Sequence, residues 1–264
     1  MEDFSNMTLL FSKKNKISRP ALITPQAYVH QFARNLKLPS KAVLCPISPL
    51  TKYVENHTRW KKYFCLADIY LLEDKNACYV TGFGSGAPAA AAAAEMLIAC
   101  GVKEIFFIGL AGSLQEEVLA ADLVLCREAL CGDGVSACYT RRECVQADKT
   151  MFNSWAKTMQ EDGKNFHSGK NWTTDALFCE TKAEIKHYQK HGVLTVDMET
   201  AAIYALAKKR GVRAAAAYAV SDELFRLTWE PHFGDKRIFR QLEILFETAL
   251  KTRKQDLKSA GKTV

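Results

Sequence analysis

From residue 192 to residue 212 the chain reads GVLTVDMETAAIYALAKKRGV, and its periodicity changes there with no loop between. Val193 to Val196 form a short apolar and β-branched run, the pattern of a buried strand. Ala201, Ala202, Ala205, Leu206 and Ala207 then recur at the spacing of a packed helix, in residues that favour helix. RAAAAYAV, from 213, reads as a strand again. A chain that passes so directly from strand to helix to strand is restricted to α/β architectures. Asp197 and Glu199, placed at the first junction, are expected to face the end of a sheet.

The same alternation runs along the chain. AVLCPI, FCLADIYLL and NACYVTGF read as three strands, and GFGSGAP opens an alanine-rich helix that continues through Cys100. EIFFIGL is a strand ending in the glycines of GLAGSL, and DLVLCREAL is another. Helices are expected over PQAYVHQFARNLKL, near 148–161, from about 181 to 190, and over IFRQLEILFETALKTRK, with an extended segment around HSGKNWTTDALF. Strands alternating with helices predict a central, mixed but mostly parallel sheet covered by helices on both faces. At 264 residues and 48% hydrophobic the chain can bury one large core, and no repeat or low-complexity linker divides it. The expected organisation is an N-terminal arm over 1–24, a single α/β domain over 25–255 and a basic tail over 256–264.

Composition closes off several classes of function. The nine cysteines include no CxxC pair and several lie in apolar runs, so they read as buried thiols rather than bridges or zinc ligands. The six histidines are dispersed and no HExxH is present, so no catalytic metal is expected. The net charge of +7 is spread out except in SKKNK and the C-terminal tail, which predicts no nucleic-acid surface while leaving room for a small anionic substrate. The start MEDFSNMTLLFSKKNK lacks the pattern of a signal peptide, and no apolar run reaches the length of a membrane span. The expectation is a cytoplasmic protein with no membrane partner.

Chemistry is concentrated at one rim. If 199–209 is a crossover helix and 212–220 the parallel strand that follows, Glu199 and Asp222 both lie past carboxyl ends of strands in one unit, where open α/β sheets bind ligands. Taken singly, Glu199 also reads as a helix cap and Asp222 as the start of a turn. GFGSGAP places Gly84, Ser85 and Gly86 before a helix N-terminus, where backbone N–H groups can face an anion. GLAGSL lets a ligand approach the backbone at Ala111 and Gly112. Tight packing explains such glycine turns equally well, and GFGSGAP is not a GxGxxG dinucleotide fingerprint.

GFGSGAPAAAAAAEML, FFIGLAGSLQ, DGVSACY, WTTDALF, TVDMETAAIYALA and AVSDE, in that order, resemble the nucleoside phosphorylase and nucleosidase superfamily over about 40–250. That superfamily includes uridine phosphorylase, hexameric purine nucleoside phosphorylase and methylthioadenosine nucleosidase. The resemblance implies one α/β domain and cleavage of the N-glycosidic bond of a nucleoside by phosphate or water. It implies Met198 under the ribose, Glu199 accepting from the ribose hydroxyls, and Asp222 protonating or hydrogen-bonding the departing base. Asp175, Leu177 and Phe178 would line the base pocket beside Ala111 and Gly112. Gly84, Ser85 and Gly86 would hold phosphate, with Arg59 reaching a neighbour's phosphate site in a homodimer or a hexamer of dimers. Inorganic phosphate would be the co-substrate, with no other cofactor.

The chain departs from the pattern in its phosphate half. CPISPL stands where phosphorylases carry a glycine and arginine loop, and Phe107 where an arginine precedes the IGxxG turn. CPISPL also lacks the glutamate with which nucleosidases activate water, and FCETKAEI lacks the glutamine and arginine of uracil-specific members. The sequence therefore predicts a nucleoside phosphorylase, purine over uridine, with a nucleoside hydrolase and a catalytically weakened nucleoside-binding protein as alternatives.

Overall fold

The computed structural model describes residues 17, 19–33 and 36–252. Most of the expected arm and all of the expected tail lie outside these residues. In chain order the elements are α1 (Pro25–Phe32), β1 (Lys41–Leu44), α2 (Pro49–His57), β2 (Trp60–Phe64), β3 (Asp68–Leu72), β4 (Ala77–Thr81), α3 (Ala87–Ala99), β5 (Glu104–Ser113) and β6 (Leu123–Gly132). They continue as β7 (Cys144–Gln146), α4 (Lys149–Glu161), β8 (His167–Thr174), α5 (Lys182–Lys190), β9 (Val193–Asp197), α6 (Thr200–Arg210), β10 (Arg213–Glu223), β11 (Glu230–Pro231) and α7 (Lys236–Lys251).

All the strands belong to one mixed sheet, ordered β11-β10-β6-β8-β9-β5-β1-β4-β3-β2, and β10 pairs with β5 as well. The additional pairing closes β5, β10, β6, β8 and β9 into a ring. The longest registers, β5 with β10 and β6 with β8, are parallel, as are both partners of β1. Antiparallel pairing governs the β2–β3–β4 meander at one edge and the joins of β5 with β9 and β6 with β10.

Alternation along the strands sorts the core onto two faces, as a period of two requires. Leu44, Ile105 and Phe107 pack with α3 and α6 in one cluster, while Val43, Phe106 and Ile108 pack with Trp155 of α4 and Leu242 and Phe246 of α7 in the other. α6 is buried from Thr200 to Ala207, which its small residues permit against the alanines of α3. It ends at Gly211, whose φ of 67° accommodates the left-handed cap.

Several local expectations are revised. FCLADIYLL is not one strand: the chain turns at Cys65–Ala67, with Leu66 at φ 59°, and the strand before it is WKKYF. The first helix stops at Phe32, and PLTKYVENH forms a helix, α2, whose proline-led start suits an N-terminus. The glycines of GLAGSL lie within β5 rather than in a turn after it. Most consequentially for the site, β9 runs antiparallel to β5 while β10 runs parallel to it, so β9–α6–β10 is not a parallel crossover and β5 lies between the two acid-bearing strands.

Candidate active site

Gly112 of β5 is the point on which the site is built. On one side it is in register with Val196 of β9, and on the other with Asp222 of β10. A Cβ at this position would lie 2.5 Å from Leu224 Cδ1, 3.0 Å from Asp222 Oδ2 and 3.3 Å from Val196 Cγ1, so close approach of three strands depends on glycine here. β10 carries an irregularity between Val220 and Asp222, the kind of extra residue that turns the next side chain to a new direction. A cleft of about 210 Å³ opens at this junction, bordered by Ala111, Gly112, Met198, Glu199 and Asp222.

Asp222 is 7% exposed. Ser221 Oγ donates to its Oδ1 at 2.6 Å and Trp229 Nε1 donates to its Oδ2 at 3.1 Å. Burial nevertheless pushes its carboxyl above the ordinary range, because desolvation outweighs the two donors. The indole has no lone pair to offer, so a proton held by Asp222 in this arrangement is free to face the cleft only from an oxygen not occupied by Trp229.

Glu199 lies at the start of α6 with 6% exposure. The Gly86 N–H, at the N-terminus of α3, donates to its Oε1 at 2.5 Å, and the Met198 N–H donates to Oε2 at 3.2 Å. The anion that sequence reasoning placed at the GFGSGAP helix start is therefore met by a carboxylate of the chain itself, across a sequence separation of 113 residues. Gly82, Gly84 and Gly86 all take positive φ, 71°, 87° and 96°, which explains the glycines of the loop. Burial first, and then the charge of Asp197, push Glu199 up to about 7.

Asp197 belongs to the frame of the site. Its carboxylate accepts from Asn171 Nδ2 at 2.7 Å, Thr173 Oγ1 at 2.6 Å, and both the N–H and the hydroxyl of Thr200, at 2.9 and 2.5 Å. Burial raises its pKa, and these four donors oppose the rise. The arrangement ties β8, β9 and the first turn of α6 together and so fixes where Met198 and Glu199 point.

The remaining expected residues divide. Met198 is half-buried on the cleft wall, and Ser85, Ala111, Gly112 and Leu177 also border it. Gly84 is exposed and does not line it. Asp175 and Phe178 do not border the cleft: Asp175 accepts from the Gly134 N–H at 2.6 Å, and Phe178 is 99% exposed on a short 3-10 segment, Leu177–Cys179, none of whose side chains is buried. Arg59 is paired through two nitrogens with Asp74 on the surface, away from the cleft of its own chain. Phe107 is fully buried in the core, and Pro46 and Ile47 of CPISPL give the cleft an apolar edge.

Three residues at the cleft were not singled out in the sequence. Phe233 supplies an aromatic wall, Trp229 holds Asp222, and Glu180 faces the same cavity. All come from loops with no periodicity, and only the adjacency of FCE to WTTDALF hinted at Glu180. Among the described residues the cleft is bordered by four carboxyl groups, Glu180, Asp197, Glu199 and Asp222, and by no lysine, arginine or histidine.

Elsewhere, five cysteines are buried and Cys179 is exposed. Among the described residues the dispersed histidines conceal one grouping: His232 comes together with Glu223 and Glu230, their ligand atoms within 4.8 Å of one another. Arg226 already lies 3.7 Å from Glu223 and 2.9 Å from Glu230. Among the described residues no helix is long and apolar enough to cross a membrane.

Residues 43–249 match the Phosphorylase superfamily. The match spans most of the chain, and the chain belongs to that family. Among curated relatives, purine nucleoside phosphorylase DeoD-type of Bacillus cytotoxicus is 31% identical over 178 residues, 65% of this chain and 74% of that protein. The protein of the same description from Clostridium perfringens is 29% identical over 177 residues, with the same coverage of 65% and 74%. Among solved structures, uridine phosphorylase from Vibrio fischeri ES114 superposes with a TM-score of 0.73 at 17% identity, covering 83% of this chain and 93% of that one. Purine nucleoside phosphorylase from Toxoplasma gondii, in complex with immucillin-H, gives 0.73 at 18% identity, covering 83% and 92%. At these identities the structural likenesses establish the fold.

Proposed function

We propose that this chain cleaves the N-glycosidic bond of a purine nucleoside, transferring the ribosyl group to inorganic phosphate to give free base and ribose 1-phosphate. The observation that carries the reading is the placement of Glu199 and Asp222, two buried acids with raised pKa values, around one cleft floored by Gly112. As the bond from C1′ to the base nitrogen breaks, the ribose gains oxocarbenium character and the electron pair moves onto the base. An ionised Glu199, accepting from the ribose hydroxyls, stabilises the first change. A protonated Asp222, donating to N7, supports the second. Met198 underlies the sugar, Ala111 and Gly112 border the base, and a phosphate oxygen completes the exchange at C1′. Purine is favoured because a carboxylic acid suits the N7 lone pair, and the purine phosphorylases among the relatives agree with that choice. No metal enters this reaction.

In this reading phosphate lies against Ser85, which borders the cleft before α3, and Arg59 of a second copy supplies its cation. One observation favours a second reading, in which water is the nucleophile: among the described residues no basic side chain borders the cleft, and the Gly86 N–H is taken by Glu199. A panel of purine and pyrimidine nucleosides, assayed with and without phosphate for free base and ribose 1-phosphate, separates the two. Phosphate-dependent release from purine nucleosides is expected. Equal release without phosphate selects hydrolysis, and no release from any nucleoside contradicts both.

A further inference from the structure

We propose that Trp229 is a positioning residue for departure of the base: its indole N–H holds Oδ2 of Asp222 as an acceptor and so leaves the transferable proton on Oδ1. The inference rests on the proposed cleavage of purine nucleosides.

The hairpin after β10 brings Trp229 to the acid. β11 runs back along β10, with Pro231 in register with Asp222 and Glu230 with Glu223. Side chains two apart on a strand share a face, so Trp229, just before β11, falls on the face of Pro231 and diagonally across from Asp222. The chain reverses at Leu227, whose φ of 61° is left-handed and whose N–H donates to the Leu224 carbonyl at 2.8 Å. Arg226 clasps the two arms, 2.9 Å from Glu230 and 3.7 Å from Glu223. Gln189 Nε2 of α5 donates to the Phe225 carbonyl at 2.8 Å, and the His232 N–H donates to the Ser221 carbonyl at 2.9 Å. Trp229 itself is 61% exposed, so these anchors and its bond to Asp222, rather than burial, set its place.

The two donors to Asp222 are not equivalent. The indole Nε1–H, 3.1 Å from Oδ2, belongs to a group that only donates. The Ser221 hydroxyl, 2.6 Å from Oδ1, can turn away, because the Ala111 carbonyl stands 3.4 Å from the same Oγ as a second acceptor. A protonated Asp222 therefore keeps Oδ2 for Trp229 and carries its hydrogen on Oδ1. Burial favours that protonated form, and the two donors oppose it. As the bond from C1′ to the base breaks, its electron pair passes to the base, N7 takes the hydrogen from Oδ1, and Asp222 becomes a carboxylate. The Ser221 hydroxyl then returns to Oδ1, and the Trp229 bond strengthens because its acceptor now carries charge. That gain arises as the proton moves, so it acts on kcat more than on substrate binding.

The test is Trp229→Phe in the full chain, which removes the N–H and keeps an aromatic ring. At so exposed a position the melting temperature is expected to stay unchanged. The kcat on a purine nucleoside is expected to fall about tenfold with KM little altered, the loss of one hydrogen bond to a developing charge. An activated riboside, whose leaving group needs no proton, is expected to react at the wild-type rate. Losing a donor to the ionised form raises the pKa of Asp222, so the alkaline limb of the kcat profile, where the proton is lost, is expected at higher pH in the variant. Placed in Asp222→Asn, the substitution is expected to cost nothing further. Wild-type kcat in the variant, equal losses on both substrates, an unmoved limb or an additive loss in the double variant overturns the assignment. A pH titration of tryptophan emission reads the contact without turnover and so keeps it apart from the cleavage reading. A transition seen in the wild type and lost in both Trp229→Phe and Asp222→Asn supports the pairing even if no nucleoside is cleaved. No such transition in the wild type overturns it, whether or not nucleosides are cleaved.

Discussion

Glu199 is a carboxylate held where charge is unfavourable, and that has two measurable effects. It accepts from the Gly86 N–H and borders the cleft beside Met198, and in the proposed reaction it meets the ribose hydroxyls. Glu199→Gln keeps the size and removes the charged acceptor, so turnover is expected to fall by about a hundredfold, the loss typical of one transition-state hydrogen-bond partner. The melting temperature should change little or rise. The second effect is on stability. Glu199 has a folded-state pKa of about 7 against an ordinary 4.5, so between those values the folded protein binds the extra proton. Its contribution is neutral below the lower value, becomes destabilising as pH rises through the interval, and is fully present above 7. Denaturant unfolding of the wild type should therefore show stability falling from pH 5 to pH 8, by on the order of 2 kcal/mol from this group, and the slope should flatten in Glu199→Gln. An identical slope in the variant would assign the effect elsewhere. Glu199 and Asp222 were legible in the sequence because each sits at a junction of periodicities. Glu180, Trp229 and Phe233 were not, because their approach to Asp222 depends on how two irregular loops fold back over the sheet, and no local pattern encodes it.

At the scale of elements, the site exists because β5 passes between β9 and β10 with no side chain at Gly112. Gly112→Ala would press a methyl group toward Leu224 and Asp222, and overpacking of this kind costs about 1–3 kcal/mol. The expected outcome is a lower melting temperature together with a larger loss of kcat than of substrate affinity, since Asp222 is displaced. A variant with wild-type kcat would show that the three strands adjust without moving the acid. The strands and helices themselves follow from periodicity, as β5, β9, α6, β10 and the amphipathic α7 illustrate. Strand direction does not: VLTVD reads the same whether it runs with β5 or against it, and only the ring closure through β8 and β6 fixes the choice. The turn inside FCLADIYLL was hidden for a related reason, since Leu66 occupies a left-handed position that residues of its type rarely take.

For the whole molecule, the proposed phosphate reaction calls for a cation from a second copy, since among the described residues no basic side chain borders the cleft. The hairpin after α2 is exposed over all of WKKYF, including Phe64 at 73% and Tyr63 at 39%, and it lies next to Arg59. A surface of this kind fits an interface between copies, and light scattering is expected to give a homodimer or a hexamer. A monomer at working concentrations would remove Arg59 as a ligand lent to a neighbour. The central claim of the proposed function is that Asp222 assists departure of a purine base from a ribose held by Glu199. That assertion is tested most directly by Asp222→Asn assayed on two substrates, a natural purine nucleoside and an activated riboside whose leaving group needs no proton. The predicted result is a rate loss on the purine nucleoside at least about a hundredfold greater than on the activated riboside. Equal losses on both substrates would contradict it.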